Sequence, residues 1–279
     1  MSDPLRLMVI GAHPDDAEYK AGGLASKYRR LGHEVRFVSM TNGDAGHHQI
    51  SGPPLAARRR AEAEVAAKVV GLTYDILDNS DGRIEPNLDR REDLIRRIRR
   101  FRPDLLLTHR PNDYHPDHRV TAQLVQDAAY LLTVPAICPD VPHLRRDPVI
   151  AYLSDNFTRP CSFRADVVVD ITEVWEDKIA MMHAHVSQFY EWLPYNMWDP
   201  AEVPDADEER RAWLSERMAD ESDTLAQWLA PAILLTYGAH AAAKIRHIEA
   251  FEGSEYGSPL DGSAHARLFP FVLSTIPSD

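Results

Sequence analysis

The chain has 279 residues with a net charge of −12, 44% apolar and 27% charged. This length suits one large or two small domains with a substantial core, and the composition is that of an ordinary water-soluble globular protein. An acidic balance argues against a general nucleic-acid or anionic-membrane binder, because neutralising phosphates needs a basic face.

The first element in chain order is an apolar run, "LRLMVIGA", read as a buried strand. It fits a strand better than a signal peptide. Residues 17–31 carry a helical pattern closed by Gly32, and "EVRFVSMT" reads as a second strand ending in the turn "NGDAGHH". "PPLAARRRAEAEVAAKVVG" has Pro at its start and Gly71 at its end, the punctuation of a helix. "YDIL" is a short third strand, "LDRREDLIRRIRRF" an amphipathic helix, "DLLLTH" a fourth strand, and "HPDHRVTAQLVQDAAYLL" the next helix. Strands alternating with helices over residues 5–132 predict an α/β fold: a Rossmann-like, mostly parallel sheet flanked by helices.

Beyond residue 132 the alternation loosens into an elaborated C-terminal part, 133–279. "PVIAYL" and "DVVVDIT" read as strands, "EVWEDKIAMMHAHVSQF" as a helix, and "GAHAAAKIRHIEAFE" as a last helix. Residues 199–223 form an acidic insertion with helical character in its middle. No linker interrupts the chain, so a single domain over 1–279 is expected. The only cysteines are Cys138 and Cys161, too few for a disulfide framework, and the expected compartment is the cytoplasm. No apolar run reaches about 18 residues, so no membrane span is expected.

Ligand sites in open parallel sheets lie at the carboxyl ends of strands. His13, Asp15 and Asp16 follow the first predicted strand, Asn42 and Asp44 the second, and Asp81 the third. His109, Asp113, His115, Asp117 and His118 follow the fourth. The polar clusters thus converge on one edge. His115 and His118 are three apart at a helix start, as are His13 and Asp16, a spacing that shares a helix face. Two histidines and a carboxylate around one ion, with a position left for water, is a catalytic zinc pattern. Only one of Asp15 and Asp16 need bind the ion, and the other can take a proton from bound water. The competing reading of either aspartate is a helix N-cap. His33, His143 and His247 are read as structural. His47 and His48 lie in a site-facing turn.

"AHPDDAEYKAGG" together with "HRPNDYHPDH" resembles the PIG-L/LmbE-like family of zinc-dependent N-acetylglucosaminyl de-N-acetylases. "TNGDAG", "AAKVVG", "HVSQ" and "IEAFEGSEYG" agree, so the resemblance spans most of the chain; the insertion 199–223 has no counterpart in it. The resemblance implies zinc ligands His13, Asp16 and His118, and Asp15 as general base. It implies that His115 faces the reacting carbonyl, and that Asp117 holds a histidine in its working tautomer. A substrate-contacting arginine is implied on the second helix, where Arg58, Arg59 and Arg60 leave the register open and Arg59 is favoured. Asp44, Asp81 and Asp113 are the other expected substrate-binding residues.

The implied activity is hydrolysis of an N-acetyl group from an N-acetylglucosamine-type sugar conjugate, with Zn2+ as cofactor and acetate released. The partner expected is a small N-acetylated sugar, with no nucleic acid; a homo-oligomer is left open. The alternatives are a zinc amidase acting on a larger acyl or thiol conjugate, and a non-catalytic sugar-binding protein. A dinucleotide enzyme is set aside: the G-x-G-x-x-G spacing is missing and the carboxylates would repel a pyrophosphate. The region after 133 is expected to set acceptor specificity. There Tyr190, Trp192, Tyr195 and Trp198 suit either sugar rings or a core.

Overall fold

The computed structural model describes residues 3–272. One seven-stranded sheet organises them in the order β3-β2-β1-β4-β5-β7-β6. Its strands are β1 (Arg6–Gly11), β2 (Glu34–Ser39), β3 (Thr73–Ile76), β4 (Leu105–Thr108), β5 (Val149–Leu153), β6 (Val167–Asp170) and β7 (Ile248–Gly257). The pairs β1–β2, β2–β3, β1–β4 and β4–β5 are parallel, and β7 runs antiparallel between β5 and β6.

β1 and β4 sit centrally, covered on both faces, and therefore read as continuous apolar runs rather than alternating ones. Leu7, Val9, Leu105 and Leu107 face one core; Met8, Ile10 and Leu106 face the other. α1 (Asp16–Arg30), α2 (Pro53–Val70) and α5 (Trp175–His183) cover the first face, and α3 (Leu88–Phe101) and α4 (Pro116–Ala129) the second. Each fully buried Leu, Ile or Phe on these faces contributes about 1.5–3 kcal/mol.

α1 is interrupted at Ala21 (φ −141°). The buried Glu249 carboxylate, on β7, accepts the Gly23 and Leu24 N–H groups at 2.8 Å and so caps the helix where it restarts. Lys178 neutralises that carboxylate at 2.7 Å. This ties the central layer to the C-terminal part.

Two C-terminal expectations need correction. The stretch 238–252 is not one helix: α8 (Ala230–Ala242) contains Gly238 at φ +70°, and Ile248–Gly257 is the strand β7. Ile248, Glu249, Ala250 and Phe251 are all buried, as a strand covered on both faces requires. The helix expected through residue 189 ends at His183; a π-helical turn, Ser187–Trp192, and α6 (Leu193–Met197) follow. The acidic insertion folds as α7 (Asp207–Trp228), and α9 (Gly262–Leu268) is the last helix. No helix among the described residues is long and apolar enough to cross a membrane.

Candidate metal centre at the strand ends

The carboxyl ends of β1, β2, β3 and β4 meet at one edge, and the loops leaving them hold the polar cluster. Asp16 opens α1, yet its side chain turns back: Oδ2 accepts the N–H groups of Ala12 (2.9 Å) and His13 (2.7 Å). Gly11 permits this approach, since a Cβ there would lie 2.8 Å from the Asp16 Cβ. Asp15 occupies the N-cap position and makes no side-chain cap bond, so neither carboxylate is spent on capping the helix. Asp15 also carries φ +144°, outside the regions ordinary residues favour, a conformation costing on the order of 1–3 kcal/mol. Arg59 helps hold it there. Its Nη2 donates to the Pro14 carbonyl at 2.7 Å and lies 3.2 Å from Asp15 Oδ2.

Three residues form a near-equilateral donor triangle, with Asp16 turning one carboxylate oxygen to each histidine. His13 Nδ1 lies 3.3 Å from His118 Nε2 and 3.5 Å from Asp16 Oδ2, and His118 Nε2 lies 3.4 Å from Asp16 Oδ1. Ligands about 2.0–2.1 Å from a tetrahedral ion stand about 3.4 Å apart, so the donor set fits zinc. Carboxylates lie close to the opposite ring nitrogens, where they can orient metal-bound imidazoles. His13 Nε2 faces Asp81 Oδ1 (3.1 Å) and Asp117 Oδ2 (3.4 Å), and His118 Nδ1 faces Asp113 Oδ1 (3.0 Å).

Two histidines extend the cluster. His109 Nε2 is 3.2 Å from Asp16 Oδ2, and its ring stacks on His118 at 3.9 Å. Ring nitrogens of His13, His115 and His118 lie within 4.8 Å of one another, as do ligand atoms of Asp16, His109 and His118. His115 Nδ1 accepts the Asp117 N–H at 3.2 Å, which places the proton of a neutral ring on Nε2.

The charges follow this geometry. Burial raises Asp15, Arg59 pulls it down and Asp16 pushes it up, leaving it at about 6. Burial works against a charged His118, but the Asp16 charge and the Asp113 hydrogen bond push it up to about 9. Burial and then its histidine neighbours His13 and His118 lower His115, favouring the neutral ring. Burial pushes His109 down to about 4. Burial opposes the Asp81 charge, but the hydrogen bond from His13 holds it at about 2.

The structure thus gathers His13, Asp15, Asp16, Asp81, Asp113, His115, Asp117 and His118 at one place. Asp117 serves His13 and also accepts the Gly82 N–H at 2.6 Å, fastening the loop after β3. Asp81 touches His13, and Asp113 touches His118 while also lining the cavity beside the cluster. Asp44 lies further back, where its Oδ1 accepts the Asp81 N–H at 2.8 Å. Of the three arginines, Arg59 alone turns into the cluster; Arg58 pairs with Glu191 and Glu62, and Arg60 reaches the Ile76 carbonyl. Arg59 is 2% exposed and committed to protein partners. The turn with His47 and His48 is closed by a His47–Glu191 contact of 2.8 Å and by Tyr195 stacked on His48 at 4.1 Å.

His109 was placed in the strand-end cluster from the sequence but given no role, and Glu18 and His185 were not singled out. His109 stands at a strand end, which is a usable signal. His185 and Glu18 form a fully buried pair at 2.9 Å behind Asp15; "HVSQ" marks the histidine, but nothing local marks its partner.

A cavity of about 310 Å3 opens onto Asp15, Asp16 and His118, with Tyr114, Phe157 and Trp198 in its wall. Of the four C-terminal aromatics, Trp198 lines it. Tyr190 is buried with its hydroxyl on His183, and Trp192 stacks with Tyr195.

A mostly parallel α/β sheet with a cluster of histidines and carboxylates at its strand ends is the architecture in which the chain's relatives are found. Residues 8–129 of this chain match the PIG-L family, described as GlcNAc-PI de-N-acetylase. The chain is 28% identical over 209 residues to diacetylchitobiose deacetylase of Thermococcus kodakarensis, covering 71% of this chain and 75% of that protein. It is 26% identical over 196 residues to 4-oxalmesaconate hydratase of Pseudomonas putida, covering 67% and 76%. The structure of N,N'-diacetylchitobiose deacetylase from Pyrococcus horikoshii superposes with a TM-score of 0.69 at 24% identity, over 90% of this chain and 84% of that one, and shares the fold.

Proposed function

We propose that this protein is a zinc-dependent N-deacetylase acting on N-acetylglucosamine-type sugar conjugates. The observation that carries the reading is Asp15, a carboxyl in the cavity wall, held by Arg59 beside the donor triangle of His13, Asp16 and His118 and bound to none of those three. Those three residues would hold the ion. When bound there, zinc supplies Lewis-acid polarisation and lowers the pKa of water.

Asp15 accepts the proton of the attacking water, because a base near neutrality matches the work. The neutral His115 donates from Nε2 toward the carbonyl oxygen as charge develops on it. Asp81, Asp117 and Asp113 fix the rings of His13 and His118. The C–O bond to the acetyl carbon forms, the C–N bond breaks, and the amine leaves with the proton, giving acetate.

The hydratase relative supports a second reading, addition of water across an unsaturated carboxylate. Metal analysis combined with a substrate panel separates the two. Amine and acetate released in equal amounts from N-acetylhexosamine conjugates is the expected result. Loss of an unsaturated acid's absorbance, without amine release from any sugar, overturns it in favour of hydration. Amine release only from longer acyl amides overturns it in favour of the amidase.

A further inference from the structure

The stretch His185–Gln188 leads from the end of α5 into the π-helical turn, a wider i→i+5 winding that is frequent at functional sites. His185 and Ser187 have no exposed surface, and Gln188 is buried with them. Each reaches a different element. His185 Nε2 donates to Glu18 Oε1 of α1 at 2.9 Å, and the Tyr74 hydroxyl of β3 donates to the other oxygen at 3.3 Å. Ser187 gives Glu62 of α2 two hydrogen bonds, from its N–H to Oε1 at 2.9 Å and from its hydroxyl to Oε2 at 2.5 Å. The Gln188 amide donates to the Gly46 carbonyl at 3.1 Å, in the loop between β2 and α2.

The elements so held are those that carry the Asp15–Arg59 pair. Glu18 stands three residues after Asp15, and Glu62 three after Arg59, so each contact bears on the helix about one turn from a member of the pair. The third contact bears on the loop that lies against the guanidinium. Gly43 and Gly46 permit that approach, since a Cβ at these positions would come 2.5 and 3.1 Å from Arg59 Nη1. Asp15 needs such support, because a φ of +144° persists only where the surroundings impose it. Buried hydrogen bonds are costly to leave unmade, so the segment and the three elements move as one.

We propose that His185, Ser187 and Gln188 are positioning residues for the reaction: a brace from the C-terminal part of the chain that sets Arg59 and, through it and α1, the Asp15 carboxyl. The groups at the first four strand ends do the chemistry, and this segment aligns the base among them. A misplacement near 1 Å costs about 10²-fold in rate, so slack in the brace is read in turnover before it is read in binding or metal content.

The inference rests on Asp15 being the base of the proposed deacetylation, and it is tested with and without turnover. His185→Leu, Ser187→Ala and Gln188→Leu, each loaded with zinc, are assayed for amine release and crystallised. In each, kcat should fall by about 10–100-fold while KM and zinc content hold, and His185→Gln, whose amide nitrogen can donate to Glu18, should recover most of the loss. In an Arg59→Gln background, Gln188→Leu should add less than about twofold, because the arginine it acts through is already gone; independent sites would show the full loss again. In the variant crystals the contact of Arg59 Nη2 with Asp15 Oδ2, 3.2 Å in the native chain, should open. Native kcat with a lowered melting temperature, the full added loss in the Arg59→Gln background, or an unchanged contact overturns the proposal. Gln188→Leu, which removes a single hydrogen bond to a loop, stands as the test should His185→Leu fail to fold. If the native chain releases no amine, the deacetylase reading fails, while the contact in the variant crystals still decides this one.

Discussion

Arg59 Nη2 stands 3.2 Å from Asp15 Oδ2 and donates to the Pro14 carbonyl at 2.7 Å, so one guanidinium bears on both the position and the charge of the carboxyl beside the candidate metal centre. Burial and Asp16 push Asp15 up while Arg59 pulls it down, with the balance at about 6. Arg59→Gln removes the downward pull and leaves the other two. The Asp15 pKa should therefore rise. A base works only when deprotonated, so the acidic limb of the pH–rate profile should move to higher pH, with activity recovering as pH is raised toward 8. A limb that stays in place while the rate falls uniformly would make Arg59 a scaffold alone.

Metal loading should be coupled to protons. In the metal-free protein His118 is held at about 9 and His13 well above its ordinary value, the latter because Asp117, Asp16 and Asp81 outweigh burial. Both rings are then protonated near neutral pH, and a ligating nitrogen must lose its proton. Zinc affinity should climb by about tenfold per pH unit for each proton released as pH rises through neutrality, with the His118 contribution levelling off above about 9. Calorimetry in buffers of different ionisation enthalpy counts those protons. Chelation should abolish amine release and zinc should restore it; affinity flat across that range would mean that neither ring is a ligand.

The first four strands and their helices were legible because their signals are local: apolar runs, Pro53 near a helix start, Gly71 closing one with φ +72°. The cluster was legible for the same reason, since its residues fall at strand ends in short, dense motifs. β7 was not. Its residues abut a helix, and only pairing with β5 and β6, strands distant in the chain, makes Ile248–Gly257 extended. The register of Arg58, Arg59 and Arg60 is likewise a tertiary fact, because successive residues point about 100° apart and the sequence does not say which direction is inward. Asp81, Asp113 and Asp117 were found by place, but their contacts with His13 and His118 come from loops meeting across the sheet edge.

His109 tests whether the centre extends beyond the triangle. It stacks on His118 and lies 3.2 Å from Asp16, so it positions two of the three donors. His109→Phe keeps a ring for stacking and removes the nitrogen near Asp16. Zinc affinity should fall by about 10–100-fold, the range found for groups that orient ligands. Competition with a chelating dye measures this. His33→Phe, remote from the centre, should leave it unchanged. Reduced melting temperature with unaltered zinc affinity would place His109 in the core alone.

The adjacent aspartates allow the sharpest comparison. Asp16 Oδ1 and Oδ2 stand 3.4 and 3.5 Å from the ring nitrogens of His118 and His13, whereas Asp15 pairs with Arg59 and sits in the cavity wall. Asp15→Asn changes one atom of a residue already pinned by Arg59, so zinc content should be kept. The amide cannot take a proton, and the rate should drop by about 10²–10⁴. Asp16→Asn removes an anionic donor from between two histidines, so zinc should be lost first and activity with it. It also weakens the acceptor for the Ala12 and His13 N–H groups, which should lower the melting temperature. Metal content, kcat and melting measured on both variants distinguish the roles. Zinc lost from Asp15→Asn and retained in Asp16→Asn would exchange the two assignments, and full kcat in a zinc-loaded Asp15→Asn variant would transfer the base to His115.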